Sequence, residues 1–271
     1  MAYGPPGEIP QGPEGWPRLY EDGNRLTFAR PLTVEDAEWW HARFVAPDDL
    51  DLHPLAMAQA LFAGMPGEPG FEYRSVEPSR DSFELAAEAD GRAGSVWHAG
   101  VALELRMDRI LWDDVGTKQR GLGLGKKMAA SLLATADRLK VTRLDITTEN
   151  VGSYLWAEAG FIPTEIAWRT LLGEIRKRLG MVQGEISQRS RGILQRILYP
   201  GSGALQPGDI RLVAQLDDVV SPRAARDPAN PTAVRLGKEL LVGLNWVGGL
   251  DISEGRPGPS ERQRLEEWLG I

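Results

Sequence analysis

Hydrophobic residues alternate with polar ones through the middle of the chain and recur at helical spacing on either side. The alternation between residues 71 and 115 predicts short antiparallel strands, with a hairpin turn at Asp90-Gly91. One apolar stripe from Leu124 to Leu139 then predicts a helix. A strand over residues 141–149 and a short helix over 152–160 follow. The elements predict a mixed α/β fold, α+β in type, with a mostly antiparallel central sheet flanked by helices.

The sequence before the predicted sheet contains signals for one short strand and two helices. Leu26–Ala29 is typical of a strand, and Thr33 with Asp36 has capping-box spacing, with Asp in place of the usual Glu. A second helix is predicted to end at Gly64 and Pro66. Residues 1–23 are rich in Pro and Gly without an apolar period, which predicts an extended or disordered lead.

Beyond Pro163 the sequence becomes basic and mostly helical. One helix is predicted from Thr164 to Gly180, another ends before Pro200, and one strand is predicted at Ile210–Gln215. A helix over 232–241, a strand over 245–252 and a final helix over 260–269 close the chain. These elements predict a lead (1–23), a core (24–163), a helical insertion with loops (164–231) and a closing segment that completes or packs on the core (232–271).

The insertion is long enough to have a function of its own. Its apolar positions are expected to pack on the parent domain, while docking to a protein partner or forming a homo-oligomer stays open. These positions are Ile166, Leu171, Leu172, Ile175 and Leu179.

Composition excludes several kinds of site. A net charge of −7 argues against a general nucleic-acid binder, and the absence of Cys excludes disulfides and thiolate nucleophiles. The three histidines are too scattered in sequence to predict a metal site. No apolar run approaches the ~20 residues that span a bilayer, and the N-terminus lacks the pattern of a secretory signal. We therefore expect a protein of the cytoplasm that has no membrane contact.

A glycine-rich stretch lies between the last strand of the alternating region and the helix that follows. Backbone N–H groups at a helix start attract anions, and glycine lets a phosphate approach the backbone closely. A P-loop has four residues between its Gly and Gly-Lys, whereas three separate Gly121 from Gly125. A dinucleotide fingerprint has a third Gly where Lys126 stands. Spacing therefore excludes both of these phosphate loops.

The remaining pattern, R-x-x-G-x-G, resembles the acyl-CoA pyrophosphate loop of the GNAT N-acetyltransferase superfamily. The stretch Arg30–Ala37 is similar to the family's first strand-to-helix junction, and residues 146–163 are similar to its fifth strand, fourth helix and terminal Gly-Phe. The resemblance covers roughly residues 25–163 and implies a GNAT-like fold. It also implies that acetyl-CoA, or another acyl-CoA, is held by Val115, Arg120, Gly121, Leu122, Gly123, Leu124, Gly125 and Lys126.

The resemblance implies direct attack of an amine on the thioester, helped by a base and by a backbone N–H on the fourth strand. The candidate bases are Asp113 and Asp114 on that strand, of which alternation lets only one face the cleft, and Glu104 on the neighbouring strand. Each could instead be a solvated or hairpin-capping acid. The family's usual Tyr acid is replaced by Trp156, whose indole cannot donate a catalytic proton. Tyr154 lies about 200° away around the helix.

Two functions fit these residues. The first is an N-acyltransferase that uses acyl-CoA to modify a primary amine of an unidentified acceptor. The second is a non-catalytic GNAT-fold module that binds or supports a larger assembly, conceivably a virion. The intact loop favours the enzyme, whereas Trp156, the Pro/Gly-rich lead and the insertion favour the module.

Overall fold

The computed structural model describes residues 12–21, 25–47, 50–91, 94–117, 123–148, 152–182, 186–200, 205–221, 234–253 and 261–271. The chain divides into two compact units, Met1–Leu144 and Asp145–Ile271, with the boundary inside strand β6 (Arg143–Thr148). Among the described residues, no helix is long and apolar enough to cross a bilayer. Helices flank a mostly antiparallel sheet, which confirms the expected fold class.

The first unit contributes a sheet and the helices that pack on it. Its helices are α1 (Trp16–Tyr20), α2 (Val34–Trp40), which continues as a π-helix over His41–Val45, α3 (Pro54–Leu61) and α4 (Leu124–Leu139). Its strands are β1 (Leu26–Phe28), β2 (Gly70–Glu77), β3 (Ser82–Gly91), β4 (Gly94–Glu104) and β5 (Arg109–Thr117). Strand β1 runs parallel to β2, and β2, β3, β4 and β5 pair in chain order as antiparallel neighbours.

The predicted hairpin and the predicted alternation are both present in this sheet. Gly91 pairs with Gly94, so the hairpin forms, but Asp90 and Gly91 are the last residues of β3 and the turn follows them instead of lying at them. One sheet face is buried, because every second side chain along β3, β4 and β5 points into the core. Buried members of this face are Phe83, Leu85, Ala87, Trp97, Ala99, Val101, Leu103, Ile110 and Trp112.

Aromatic side chains fix the helices to the buried sheet face. The Trp40 ring of α2 lies 5.2 Å from the ring of Phe83, and its indole N–H donates to the carbonyl oxygen of Leu52 at 2.9 Å. The Tyr73 hydroxyl donates to the carbonyl oxygen of Pro54 at 2.8 Å. Burial of each large side chain contributes roughly 1.5–3 kcal/mol, and the hydrogen bonds satisfy the polar tips of the two rings.

The start of α2 carries the predicted capping box. The Thr33 hydroxyl accepts from the Asp36 N–H at 3.1 Å, and the Asp36 carboxylate accepts from the Thr33 N–H at 2.8 Å. Arg30 donates to the same carboxylate at 2.5 Å. Burial works against ionisation of Asp36, but the hydrogen bonds from Arg30 and Thr33 outweigh it and hold the pKa of this carboxyl below its ordinary value.

The predicted extended lead is wrong for the residues of it that the structure describes. Pro13–Gly15 forms a 3₁₀ turn that leads directly into α1, and the Tyr20 side chain is buried. Pro17 lies in the first turn of α1, where its missing N–H would have no helical partner. Residues 1–11 and 22–23 of the predicted lead lie outside the described residues.

The second unit combines short strands with helices. Its helices are α5 (Gly152–Ala159), α6 (Glu165–Leu179), α7 (Gln188–Leu198), α8 (Ile210–Ala214), α9 (Leu236–Leu241) and α10 (Glu261–Leu269). Its strands are β7 (Ile162–Pro163), β8 (Val219–Val220), β9 (Val234–Arg235) and β10 (Trp246–Asp251), in addition to β6. The order across the larger sheet is β6, β10, β7, while β8 and β9 form a separate antiparallel pair.

Glycine allows close contact between β10 and β7. A Cβ atom at Gly248 would lie 2.3 Å from the carbonyl oxygen of Ile162, which is inside the closest approach of real atoms. Gly248 pairs with Pro163 in the antiparallel register, so both strands depend on this missing side chain. The strand predicted over 245–252 is therefore present, and its paired glycines reflect close packing.

Two predicted elements in this unit differ from the structure. Residues 210–214 form helix α8, where a strand was predicted, because Ile210, Val213 and Ala214 bury one helical face at spacings of three and four. The helix predicted from residue 232 begins only at Leu236, and Val234–Arg235 before it forms β9. Residues 222–233 lie outside the described part.

The apolar positions of the first insertion helix are mostly buried, with Leu179 partly exposed. Their packing on the parent domain stays a prediction, because α6 contacts α9, β10 and β7 of its own unit. The Thr164 hydroxyl caps α6 by accepting from the Ala167 N–H, and Leu171, Leu172 and Ile175 are buried. Ile166 was expected to pack with them, but it is 80% exposed. Helical spacing places it on the same side of α6 as Thr170 and Gly173, which are also exposed.

Candidate functional site

The glycine-rich stretch occupies the predicted position between a strand and a helix. Strand β5 ends at Thr117, and α4 begins at Leu124. Arg120, Gly121 and Leu122, three of the residues expected to hold CoA, lie outside the described residues. Gly123, Leu124, Gly125 and Lys126 are described and form the helix start.

Gly123 turns the chain into α4 with a left-handed backbone. Its φ is 65° and its ψ is 22°, a conformation that glycine adopts without a steric penalty. The Gly123 carbonyl oxygen accepts from the Lys127 N–H at 3.1 Å, which closes the first helical turn. Among the described residues, a Cβ atom at Gly123 would meet no atom within 4 Å. The described part of the chain therefore leaves room for a ligand at this residue.

The N-cap residue of α4 is Gly123, which has no side chain to cap the helix, and the first turn contains no acid. A helix of 16 residues carries a partial positive charge at this end. The exposed side chains of Lys126 and Lys127 add positive charge nearby. The helix start therefore has the electrostatic character of an anion site.

Buried contacts hold α4 and its start in position. Leu124 and Met128 are buried on the inner side of the helix, one turn apart. The Ser131 hydroxyl, one further turn along, hydrogen bonds to the carbonyl oxygen of Ala63 just after α3. Because the inner face is anchored at every turn, the open N-terminus has a fixed direction.

Strand β5 contains a bulge at the two candidate aspartates. Gly100 pairs with Asp113, and the preceding residue Ala99 pairs with Val115, so the register leaves Asp114 without a partner on β4. The expectation that only one aspartate can face the cleft relied on strict alternation, which a bulge interrupts. Asp113 is exposed, while the side chains of Asp114 and Val115 lie outside the described part.

Glu104 is not brought together with the glycine stretch. It pairs with Arg109 across the turn that joins β4 and β5, and its carboxylate accepts from the Arg109 guanidinium at 2.7 Å. The glycine stretch follows the other end of β5. The structure therefore favours a role for Glu104 in holding the hairpin closed.

His98 is a candidate that our sequence reasoning missed. It pairs with Gly116 in the last part of β5, and a Cβ atom at Gly116 would lie only 2.1 Å from the His98 ring. The imidazole is exposed and lies over the strand just before the glycine stretch. Counting the β4–β5 register back from the Glu104–Arg109 turn would have placed His98 opposite Val115, and the bulge at Asp114 moves its partner to Gly116.

Trp156 and Tyr154 are both buried within the second unit. The Trp156 ring lies 5.4 Å from the ring of Phe161 and 6.0 Å from that of Trp268, which makes it a packing residue of α5. The Tyr154 hydroxyl donates to a Glu158 carboxylate oxygen at 2.9 Å. Burial raises the pKa of Tyr154, and the hydrogen bond to Glu158 raises it further, so this phenol is a weaker acid than usual.

The described strands and helices define a mixed α/β protein with an open, positively charged helix start after an antiparallel strand. No family model matches the chain, and no curated protein matches it in sequence. Among solved structures, the chain is similar to nourseothricin acetyltransferase, with 18% identity and a TM-score of 0.25 over 39% of this chain and 78% of that chain.

Two further solved structures match this chain with similar TM-scores. An IAA acetyltransferase from Bacillus cereus is 16% identical, with a TM-score of 0.26 over 36% of this chain and 79% of that chain. A candidate acyl-CoA N-acyltransferase from Klebsiella pneumoniae is 14% identical, with a TM-score of 0.25 over 65% of this chain and 77% of that chain. Such TM-scores carry no argument, so the architecture stands on the strands and helices described above.

The left-handed turn at Gly123 gives a stability prediction. Gly123→Ala should lower the free energy of unfolding by about 1 kcal/mol, because an L side chain disfavours this backbone region. Gly123→Asn should lower it less, since Asn tolerates the left-handed region better. Urea unfolding of the purified variants measures both values.

Gly173→Ala provides the matched control, because Gly173 lies inside α6 and an added Cβ meets no atom within 4 Å. This change should raise the free energy of unfolding by up to about 1 kcal/mol. Equal effects of Ala and Asn at position 123 would contradict the left-handed turn.

Proposed function

We propose that this protein is an acyl-CoA-dependent N-acyltransferase that modifies a primary amine. The observation that carries the proposal is the start of α4, where left-handed Gly123 is an N-cap residue without a side chain at the end of the glycine-rich stretch. A pyrophosphate group fits the start of α4, because its oxygens can accept hydrogen bonds from several backbone N–H groups at once.

The residues at the helix start fit the diphosphate of CoA. Backbone N–H groups of Leu124, Gly125 and Lys126 belong to the first turn of α4, whose donors have no carbonyl partner within the helix. The open space at Gly123 lets a phosphate approach the backbone. The family resemblance implies that further residues also hold the diphosphate of CoA, namely Val115, Arg120, Gly121 and Leu122.

The bulge in β5 supports a role in polarising the acyl group. A bound acyl-CoA supplies an activated thioester carbonyl. Because the register leaves Asp114 without a partner on β4, the backbone here can turn an N–H away from the β4–β5 ladder. An N–H directed at the thioester oxygen would stabilise the negative charge that develops there during attack.

The proposed transfer needs one base and one proton donor. The acceptor amine forms a bond to the acyl carbon, the carbon–sulfur bond breaks, and the base removes a proton from the amine nitrogen. Asp113, Asp114 and His98 are the candidates for this base. The leaving thiolate takes its proton from water, since Trp156 has no acidic group to offer and Tyr154 is held by Glu158.

A non-catalytic module is the second candidate function. It is favoured by the burial of Trp156 at the position of the usual acid, where its ring packs against Phe161 and Trp268. Such a module would bind acyl-CoA, or a related ligand, without turnover and would serve a larger assembly. Docking of a partner or a second copy through residues 164–231 remains part of this alternative.

Calorimetric titration with acetyl-CoA and CoA tests the proposed function. We expect saturable binding to the natural chain, and at least tenfold weaker binding to Gly123→Trp, because the indole would block the helix start. The same substitution at the exposed Gly173 should leave affinity unchanged. Thiol release should then appear with some member of a panel of primary amines.

Two results of this titration would contradict the proposed enzyme function. An absence of acetyl-CoA binding would remove the acyltransferase proposal. Tight binding without thiol release against any amine would instead support the non-catalytic module.

Substitution of the candidate bases separates their roles. We expect Asp113→Asn, Asp114→Asn or His98→Asn to lower kcat by roughly a hundredfold or more, as loss of a general base does, while acetyl-CoA affinity is kept. Glu104→Gln should not change turnover, because Glu104 is paired with Arg109. Glu84→Gln, at an exposed position of β3, is the control. If none of the first three variants loses turnover, all three are excluded as the base.

A further inference from the structure

Two arginines of the second unit lie beside helix α5. Arg211 comes from α8 and Arg264 from α10, and both of these helices pack against α5. The Cβ atom of Arg264 lies 3.5 Å from where a Cβ atom of Gly160 would stand, just after the end of α5. The charge of Arg264 also acts on Arg211, so the two side chains lie near each other beside α5.

Neither arginine has a counter-ion within hydrogen-bond or ion-pair distance in the described part of the chain. The Nε atom of Arg211 is fully buried and has no hydrogen-bond acceptor. Arg262, two residues before Arg264 on the same helix, shows the contrast, because its Nε donates to the Glu266 carboxylate at 2.8 Å. A buried charged donor without an acceptor is destabilising, so this arrangement calls for an anion.

The charges around Arg211 also favour the binding of an anion. Burial lowers the pKa of this guanidinium and the positive charge of Arg264 lowers it further, whereas Glu267 acts in the opposite direction without forming an ion pair. The nearby carboxylate of Asp209 is influenced by Arg196 of α7. At Arg211 the repulsion from Arg264 is thus larger than the attraction from Glu267.

The C-terminal end of helix α5 explains only in part why two arginines lie beside it. Its carbonyl groups carry partial negative charge and attract cations. A guanidinium that caps a helix in this way donates to its last carbonyl oxygens, and neither Arg211 nor Arg264 makes such a bond in the described residues. The unused donors remain available to a ligand with several acceptor oxygens.

We propose that Arg211 and Arg264 bind the phosphate group of a small ligand. Two planar guanidinium groups can offer parallel N–H donors to the oxygens of one tetrahedral dianion, which is a geometry that phosphate accepts well. Its double negative charge offsets the repulsion between the arginines and stabilises the buried charge of Arg211. This phosphate site belongs to the second unit and goes beyond the proposed transfer reaction.

Titration of the full chain with inorganic phosphate tests the site, with sodium chloride used to hold ionic strength constant. We expect saturable binding at one site. Arg211→Gln and Arg264→Gln should each weaken it about tenfold or more, because each removes charge-assisted hydrogen bonds. Arg262→Gln is the matched control and should bind phosphate as the natural chain does.

Thermal unfolding gives a second readout that a purely structural role would not produce. Without phosphate, Arg264→Gln should melt at the same temperature as the natural chain or higher, because the repulsion is relieved. With phosphate, the natural chain should gain melting temperature while this variant does not. Should Arg211→Gln fail to fold, Arg264→Lys retains the charge without the planar fork and should bind phosphate more weakly than the natural chain.

Three results would overturn the proposal. These are no saturable phosphate binding, equal weakening in Arg262→Gln, and loss of phosphate binding when the chain is saturated with CoA. The last would show that the arginines hold a phosphate of CoA itself. Unchanged phosphate binding in the presence of CoA supports a separate small ligand, and this outcome does not depend on whether acyl transfer occurs.

Discussion

The chain enters α4 through a left-handed turn at Gly123, and the candidate site depends on this turn. Because its N-cap residue is a glycine, the helix receives no cap from that side chain, and the N–H donors of its first turn have no carbonyl partner within the helix. The inner face is anchored through Leu124, Met128 and Ser131, so the direction of these donors is set by the core. One backbone conformation thus links the packing of the first unit to its capacity for anions.

Packing also shapes the chemistry that each unit can offer. In the first unit, the buried face of β5 is fixed by the core, and the bulge beside Gly100 releases Asp114 from its pairing with β4. In the second unit, Trp156 fills space between Phe161 and Trp268, so its position on α5 is explained by packing. A proton donor for the proposed reaction must then come from elsewhere, and water is sufficient for a thiolate.

Local signals of the sequence predicted much of this fold. The Thr33–Asp36 capping box, the Asp90-Gly91 hairpin and the apolar stripe of α4 each act over a few residues, and each appears in the structure. Helix α8 was missed because residues 210–215 are too few to show a clear period. The helix within the lead was missed because Pro and Gly at its start suggested disorder, although Pro17 begins a helix readily.

Features of the site that depend on pairing between strands could not be predicted from local patterns. The bulge beside Asp114 and the position of His98 over Gly116 follow from the register of β4 and β5. The ion pair between Glu104 and Arg109 has the same origin. Arg211 and Arg264 lie on helices that are far apart in sequence, and no motif marks their proximity.

The central claim is that the start of α4 binds the diphosphate of CoA, and a backbone amide NMR titration tests it most directly. Addition of CoA should shift the amide resonances of Gly123, Leu124, Gly125 and Lys126 in a saturable way, because a phosphate would accept from these groups. The amide of Gly173 in α6 should not move. Saturable shifts confined to other residues, with the four amides of the helix start unchanged, would contradict the claim.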